Sequence, residues 1–189
     1  MRIIAGAFGG RMLQSPHNNI THPMSEKMRG ALFNALGDVT GLSFFDPFAG
    51  TGACSLEAIS RGAAHATLVE ANTDSFKTIL VNAKDLGVLD KLTVKRGNCA
   101  GWSGNNKSVL FDIAIADPPY KPKDIDIALA FRMARHVRQG GIFVLSAPPA
   151  QAETVALRAK QNPQISLLSH KTHGDGSLYF YRQNRTAVL

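Results

Sequence analysis

The fold class of this 189-residue chain is decided by one segment, Phe45-Asp46-Pro47-Phe48-Ala49-Gly50-Thr51-Gly52-Ala53. The apolar stretch Ser43–Pro47 predicts a buried strand, and Ala53–Arg61 has the apolar spacing of a helix. Gly50 and Gly52 stand between them, and neither has a Cβ atom, so the backbone there can approach a ligand closely. A strand, a glycine turn and a helix in this order predict an α/β fold with a ligand at the turn.

Short apolar stretches and longer helical patterns alternate through the rest of the chain. Further strands are predicted at Ala66–Glu70, Leu92–Lys95, Ile113–Ala116 and Ile142–Ser146. Further helices are predicted at Ser25–Leu36, Asp74–Leu86, Ile125–Val137 and Gln151–Lys160. This alternation predicts a mostly parallel, Rossmann-like sheet with helices on both faces.

Both ends of the chain depart from the alternation. At the start, Arg2–Gly6 and Arg11–Gln14 flank Gly9-Gly10, which predicts a small β-hairpin. At the end, Gln164–Ser169 and Ser177–Arg182 predict two strands joined by a turn, which would place an antiparallel strand at the edge of a seven-stranded sheet.

No repeat, low-complexity tract or linker divides the sequence. We therefore expect residues 1–189 to form a single domain, with a hairpin extension over 1–20 and a catalytic core over 21–189.

The composition of the chain argues against a membrane protein, a secreted protein and a metal-binding protein. The chain is 44% hydrophobic and 19% charged, and it has no apolar run of about 18 residues, so we expect neither a membrane span nor a secretion signal. Its two cysteines have no metal-ligand spacing, which predicts no metal site and a cytoplasmic location.

The net charge is +7, and residues 120–189 carry ten Lys and Arg against four Asp and Glu. This excess favours an acidic partner such as nucleic acid, although a solvated basic surface is the alternative.

The residues around the glycine turn indicate which nucleotide binds there. Glu70 ends the second strand, where a carboxylate accepts hydrogen bonds from ribose hydroxyls. Asn98 follows the third strand, where it is placed to bind an adenine amino group. Ser55 replaces the third glycine of the dinucleotide motif, and Asp46 would repel a pyrophosphate but suits the ammonium group of a methionine moiety. The turn alone leaves both NAD and S-adenosylmethionine open.

A tetrapeptide at the end of the fourth strand, Asp117-Pro118-Pro119-Tyr120, indicates the chemistry. The lone pair of an exocyclic base amine is delocalised, so an enzyme must orient that nitrogen before it can be methylated. The Asp117 carboxylate and the Pro118 carbonyl can each accept one N–H, while consecutive prolines hold the backbone still. Tyr120 offers a ring on which the base can stack. The alternative is that the prolines merely end the strand.

Taken in order, these features resemble the class I amino-methyltransferases. More specifically, the chain resembles the bacterial small-subunit ribosomal RNA guanine-N2 methyltransferases, the RsmD family. Besides the glycine turn and the tetrapeptide, the matching blocks are Arg2–Gly6, Gly10-Arg11, Pro23–Arg29, Ala31–Asn34, Leu56–Ala58, Ser60–Ala63 and Tyr179–Tyr181.

The resemblance implies methyl transfer from S-adenosylmethionine to the N2 amine of a guanine in small-subunit ribosomal RNA, within a ribosomal particle and with no obligate protein partner. The residues it implies for the cofactor are Asp46, Phe48, Ala49, Gly50, Gly52, Glu70, Ala71, Asn98 and Cys99. The catalytic residues are Asp117, Pro118, Pro119 and Tyr120, and the RNA contacts are Arg2, Arg11 and Arg29. A DNA adenine-N6 methyltransferase is the alternative enzyme, and an RNA-binding module without activity is the alternative of another class.

Overall fold

The computed structural model describes residues 1–16, 24–119, 126–174 and 176–184. Within these residues, seven strands form one sheet and six α-helices pack against it. The strands are β1 Ser43–Asp46, β2 His65–Glu70, β3 Leu92–Arg96, β4 Phe111–Ala116, β5 Val137–Ala147, β6 Ile165–His173 and β7 Gly176–Gln183. The helices are α1 Glu26–Leu36, α2 Ala53–Ser60, α3 Thr73–Asp85, α4 Cys99–Asn105, α5 Ile127–Arg132 and α6 Ala152–Lys160.

The sheet is mixed, with the order β3-β2-β1-β4-β5-β7-β6. The first five strands in this order pair in parallel, whereas β7 runs antiparallel to both β5 and β6. The expected seven-stranded, mostly parallel sheet with an antiparallel end is confirmed. The antiparallel strand β7 is not itself the edge strand, because β6 pairs with it on the outer side. The order reverses between β1 and β4, and this switch point is where open α/β sheets bind ligands.

Neighbouring residues of β1 face opposite layers of the core. Phe44 belongs to a buried cluster with α1, α2 and α3, whereas Phe45 belongs to a second cluster with α4 and α5. Phe45 stacks on Phe111 with ring centroids 5.0 Å apart. Successive side chains of the strand point to opposite faces of the sheet, so helices pack on both faces, as the sequence predicts.

Local signals explain most helix starts. Ser25 caps α1 by accepting a hydrogen bond from the Met28 N–H at 3.2 Å, and Asn72 caps α3 in the same way. One helix was missed, and one predicted helix has different bounds in the structure. Helix α4 was not predicted, because Gly101 and Gly104 obscure its pattern. The predicted helix Ile125–Val137 is shorter: after α5 the chain tightens into a 3-10 turn, and Val137 already pairs with Phe111 in the sheet.

The β-hairpin predicted for the first residues is not confirmed, because no named strands form there. Arg2 and Met12 make an isolated antiparallel bridge outside the named strands. Three backbone hydrogen bonds accompany it: the Ile3 N–H donates to the Arg11 carbonyl at 2.9 Å, the Gly10 N–H to the Ile3 carbonyl at 2.8 Å and the Leu13 N–H to the Met1 carbonyl at 2.8 Å. The segment folds back on itself through Gly6 and Gly10, both at positive φ. In the described part of the chain, no helix is long and apolar enough to cross a membrane.

Candidate functional site

A pocket of about 370 Å³ opens at the carboxyl ends of β1, β2 and β4. Its walls come from the glycine turn after β1, the ends of β2 and β3, and the residues after β4. The sequence-predicted residues that line it are Asp46, Phe48, Ala49, Gly50, Glu70, Ala71, Asn98, Cys99, Asp117, Pro118 and Pro119. The structure therefore brings together residues as far apart in the sequence as Asp46 and Pro119, at the expected edge of the sheet.

Gly52 shapes the pocket without lining it. It sits at the N-cap of α2 with φ of 77°, in the left-handed region that favours glycine. A Cβ atom there would lie 3.2 Å from Cγ1 of Ile79, so the close packing of the turn against α3 also requires glycine. Gly50 has φ of 54° and faces the pocket.

Asp46 is buried at the base of the pocket, with 4% of its surface exposed. The Ser55 hydroxyl donates to its carboxylate over 2.9 Å. Burial raises the pKa of Asp46 to about 7, and the nearby Asp117 and Glu70 carboxylates act in the same direction. Ser55 therefore does more than replace a glycine, because it supports the ionised form of this carboxylate.

Glu70 lies at the end of β2 and lines the pocket. Its two carboxylate oxygens accept hydrogen bonds from the Gly50 N–H at 2.7 Å and from the Asn72 N–H at 2.6 Å. Burial raises the pKa of Glu70, and these N–H groups oppose that rise. Each carboxylate oxygen has a second acceptor direction, which leaves capacity for the hydroxyls of a ligand.

The residues after β4 place a second carboxylate opposite the glycine turn. Asp117 and Pro118 both face the pocket, and Pro118 is buried. Burial raises the pKa of Asp117 to about 6, whereas a hydrogen bond from the Ser146 side chain lowers it. Asp117 is therefore ionised at neutral pH and can accept a hydrogen bond. Tyr120 lies outside the described residues.

Asn98 and Cys99 form the wall at the end of β3. Asn98 is the N-cap of α4, and its side-chain oxygen accepts the Gly101 N–H at 2.7 Å. The same oxygen has a second acceptor direction, which could receive the amino group of an adenine. The contact between Asn98 and adenine stays a prediction. Cys99 is buried, and burial raises the pKa of its thiol to about 11, which keeps it neutral.

Several lining residues were not predicted. They are Met24, Pro47, Thr51, Ala53, Cys54, Val69, Asn72, Gly97, Asp126 and Leu129. Asp126 also caps α5 by accepting the Leu129 N–H at 2.7 Å. An Asp directly before a helical pattern is an N-cap signal, and the position could have been found from it.

A family model described as conserved hypothetical protein 95 matches residues 1–182. The chain belongs to this family. It is the RsmD family, so the resemblance drawn from the sequence is confirmed. A relative from Escherichia coli strain K12, named Ribosomal RNA small subunit methyltransferase D, is 34% identical over 128 residues. That match covers 64% of this chain and 61% of the relative's length.

Solved structures share the fold across nearly the whole chain. The Escherichia coli protein yhhF superposes with a TM-score of 0.79 at 23% identity, covering 97% of this chain and 98% of that one. The ribosomal protein L11 methylase of Lactobacillus delbrueckii superposes with a TM-score of 0.69 at 15% identity, covering 84% and 78% of the two chains. The expected class I methyltransferase fold is confirmed.

The family match begins at residue 1, and the structure shows what secures these first residues. The Ile4 and Ala5 N–H groups donate to the two carboxylate oxygens of Glu57 at 2.7 and 3.1 Å. The Ser60 hydroxyl donates to the Ala5 carbonyl at 2.6 Å. The sequence analysis did not predict that Glu57 binds the N-terminal residues. An acidic residue within the otherwise apolar α2 sequence is nevertheless a signal for a buried polar contact.

The three arginines predicted to contact RNA lie in different settings. Arg2 and Arg11 are exposed: Arg2 pairs with Glu26 at 2.9 Å, and Arg11 donates to the Asp85 carbonyl at 3.1 Å. Arg29 is fully buried, with its guanidinium against Glu57 and donating to the Arg2 carbonyl. The prediction that Arg29 contacts RNA was therefore wrong, because no part of its side chain reaches the surface.

Proposed function

We propose that this protein transfers a methyl group from S-adenosylmethionine to the exocyclic N2 amine of a guanine in small-subunit ribosomal RNA. The acidic lining of the pocket is the observation that supports this cofactor. Four of the described lining residues are acidic, Asp46, Glu70, Asp117 and Asp126, and none is Lys or Arg. Such a lining attracts a cationic nucleoside and repels the pyrophosphate of a dinucleotide. The cavity volume of about 370 Å³ is in the range of small-ligand sites.

Each wall of the pocket suits one part of this cofactor. Glu70 is placed to accept the ribose hydroxyls, and Asp46 to pair with the ammonium group. Gly50 and Gly52 keep the backbone of the turn close to the ligand. When bound, S-adenosylmethionine supplies the methyl group on a sulfonium, which is already a good leaving group.

Asp117 and Pro118 orient the amine that receives the methyl group. The Asp117 carboxylate accepts one N–H of the target nitrogen, and the Pro118 carbonyl accepts the other. The nitrogen lone pair then points into the pocket, and the rate enhancement comes from positioning and fixed dipoles. With its pKa raised to about 6, Asp117 is ionised at neutral pH and can take the proton that the nitrogen loses.

Ribosomal RNA is supported as the substrate by the family and by charge. The Escherichia coli relative is named for small-subunit ribosomal RNA, and the similar proteins do not support the DNA adenine alternative. The excess of Lys and Arg over residues 120–189 suits a phosphate backbone. The exposed Arg2 and Arg11 are proposed RNA contacts on the N-terminal segment, and an assembled particle is the proposed form of the substrate.

Product analysis tests this function. The purified protein is incubated with methyl-labelled S-adenosylmethionine and either free small-subunit ribosomal RNA, small-subunit particles or duplex DNA. The expected product is N2-methylguanine, with more label incorporated from particles than from free RNA. N6-methyladenine in DNA would overturn the proposal, as would the absence of label from all three substrates when calorimetry shows cofactor binding.

A further inference from the structure

A row of paired residues crosses the sheet beside the catalytic carboxylate. Ala116 of β4 pairs with Leu145 of β5, so the parallel register puts Asp117 next to Ser146. Ser146 is fully buried and pairs on its other side with Leu178 of β7. It therefore lies one residue beyond the last pair between β4 and β5 and within the ladder between β5 and β7, which fixes its backbone.

The side chains of Ser146 and Asp117 lie against each other. The Ser146 hydroxyl donates a hydrogen bond to the Asp117 carboxylate. A carboxylate on a chain that has just left its strand can rotate about two side-chain bonds, and a donor on a rigid neighbouring strand removes that freedom. Asp117 also lines the pocket, so the carboxylate that Ser146 contacts is one that faces the cavity.

We infer that Ser146 is a positioning residue, which holds the Asp117 carboxylate in the orientation that accepts the N–H of the target amine. This inference rests on the proposed function for its catalytic consequence, but the contact itself belongs to the protein alone. The hydroxyl touches neither substrate nor cofactor in this scheme, so it acts on the reaction through Asp117. It also favours the ionised carboxylate, because a donor hydrogen bond stabilises the charged form.

The variant that tests the inference is Ser146→Ala, with Ser177→Ala as its matched control. Ser177 is also a fully buried serine of this sheet, and its hydroxyl lies 3.1 Å from that of Thr172. Ser146→Thr keeps the hydroxyl and should restore the behaviour of the unchanged protein. Thermal unfolding of all three variants shows whether each is folded.

The first measurement needs no activity. The Asp117 carboxyl carbon is followed by NMR as a function of pH in the protein without substrate, using Asp117→Asn to assign its signal. We expect Ser146→Ala to move the titration midpoint of Asp117 to higher pH, whereas Ser177→Ala leaves it in place. An unchanged midpoint in folded Ser146→Ala would overturn the inference even if the protein proves to be an RNA methyltransferase.

The second measurement uses methyl transfer to small-subunit particles. For Ser146→Ala we expect kcat to fall about tenfold, as for loss of one hydrogen bond to a charged group. KM for the particle and the affinity for S-adenosylmethionine should stay unchanged, and the acid limb of the rate profile should move to higher pH. A merely structural role would predict equal losses in Ser146→Ala and Ser177→Ala. If the unchanged protein transfers no methyl group while the NMR midpoint still moves, the proposed function fails and the contact stands.

Discussion

Glu57 and Arg29 form a fully buried ion pair, with the Arg29 Nε 3.6 Å from the Glu57 Oε2 and neither side chain exposed. Glu57 also binds Arg61 at 2.7 Å and accepts two backbone N–H groups of the first residues. One carboxylate therefore joins α1, α2 and the N-terminal segment. Burying a charge without its partner is strongly unfavourable, so this centre tolerates the loss of neither side chain.

Glu57→Gln should destabilise the protein strongly. The substitution leaves Arg29 buried without a carboxylate, which costs about 3 kcal/mol in the free energy of unfolding. Urea unfolding followed by circular dichroism measures this loss. Glu26→Gln is the control, because its pair with Arg2 is exposed and we expect little change. Equal effects of the two substitutions would contradict the role given to the buried pair.

Asp46→Asn should make the protein more stable at pH 8 in the absence of cofactor. The raised pKa of about 7 means that folded Asp46 holds its proton above the ordinary pKa of 3.8. The folded state then binds more protons than the unfolded state, so the stability of the unchanged protein falls as pH rises between these two values. At pH 8 we expect the variant to be more stable by about 2 kcal/mol.

The same substitution should weaken cofactor binding, since it removes the proposed partner of the ammonium group. Unfolding curves at pH 4 and pH 8, with calorimetry of S-adenosylmethionine at pH 8, measure both effects. At pH 4 the stability difference should nearly vanish, because Asp46 is then largely protonated. A variant that binds the cofactor as tightly as the unchanged protein would contradict the role of Asp46.

The sequence predicts the strands that build the pocket because each is a short apolar run ended by glycine, proline or an acid. Asp46, Glu70 and Asp117 all close such runs, and parallel strands bring their carboxyl ends to one edge. Eight of the nine predicted cofactor residues accordingly line the pocket, and Gly52 supports it from behind.

The contacts that connect distant segments could not be predicted in this way. Arg29 has the sequence character of a surface residue, and only the position of Glu57 on another helix makes its burial possible. Likewise, α2 binds the N-terminal residues in addition to the hydrogen bonds that they make among themselves, and local hairpin signals do not predict these long-range contacts. The pairing of Ser146 with Asp117 depends on strand register, which periodicity does not give.

Asp117→Asn should abolish methyl transfer while leaving cofactor affinity nearly intact. The amide keeps the shape of the side chain but can no longer stabilise the developing positive charge on the amine, and we expect kcat to fall at least about 100-fold. Single-turnover kinetics with particles, and calorimetry of the cofactor, separate the two effects. Asp112→Asn is the control on β4, the strand that Asp117 follows, since Asp112 pairs with Arg138 at 3.0 Å and does not line the pocket. An active Asp117→Asn enzyme would refute the orientation of the amine by Asp117.

Gly52→Ala should damage the pocket more than Gly87→Ala, although both glycines have positive φ. Gly87 has φ of 69° and open space where a Cβ would stand, so alanine there costs only the backbone strain of about 1 kcal/mol. At Gly52 the same strain is joined by a contact of 3.2 Å with Ile79, and either the turn or α3 must move. We expect a larger fall in the unfolding midpoint and weaker cofactor binding in Gly52→Ala alone. Calorimetry decides the matter: if both variants bind the cofactor equally well, close packing of the turn against α3 does not govern the pocket.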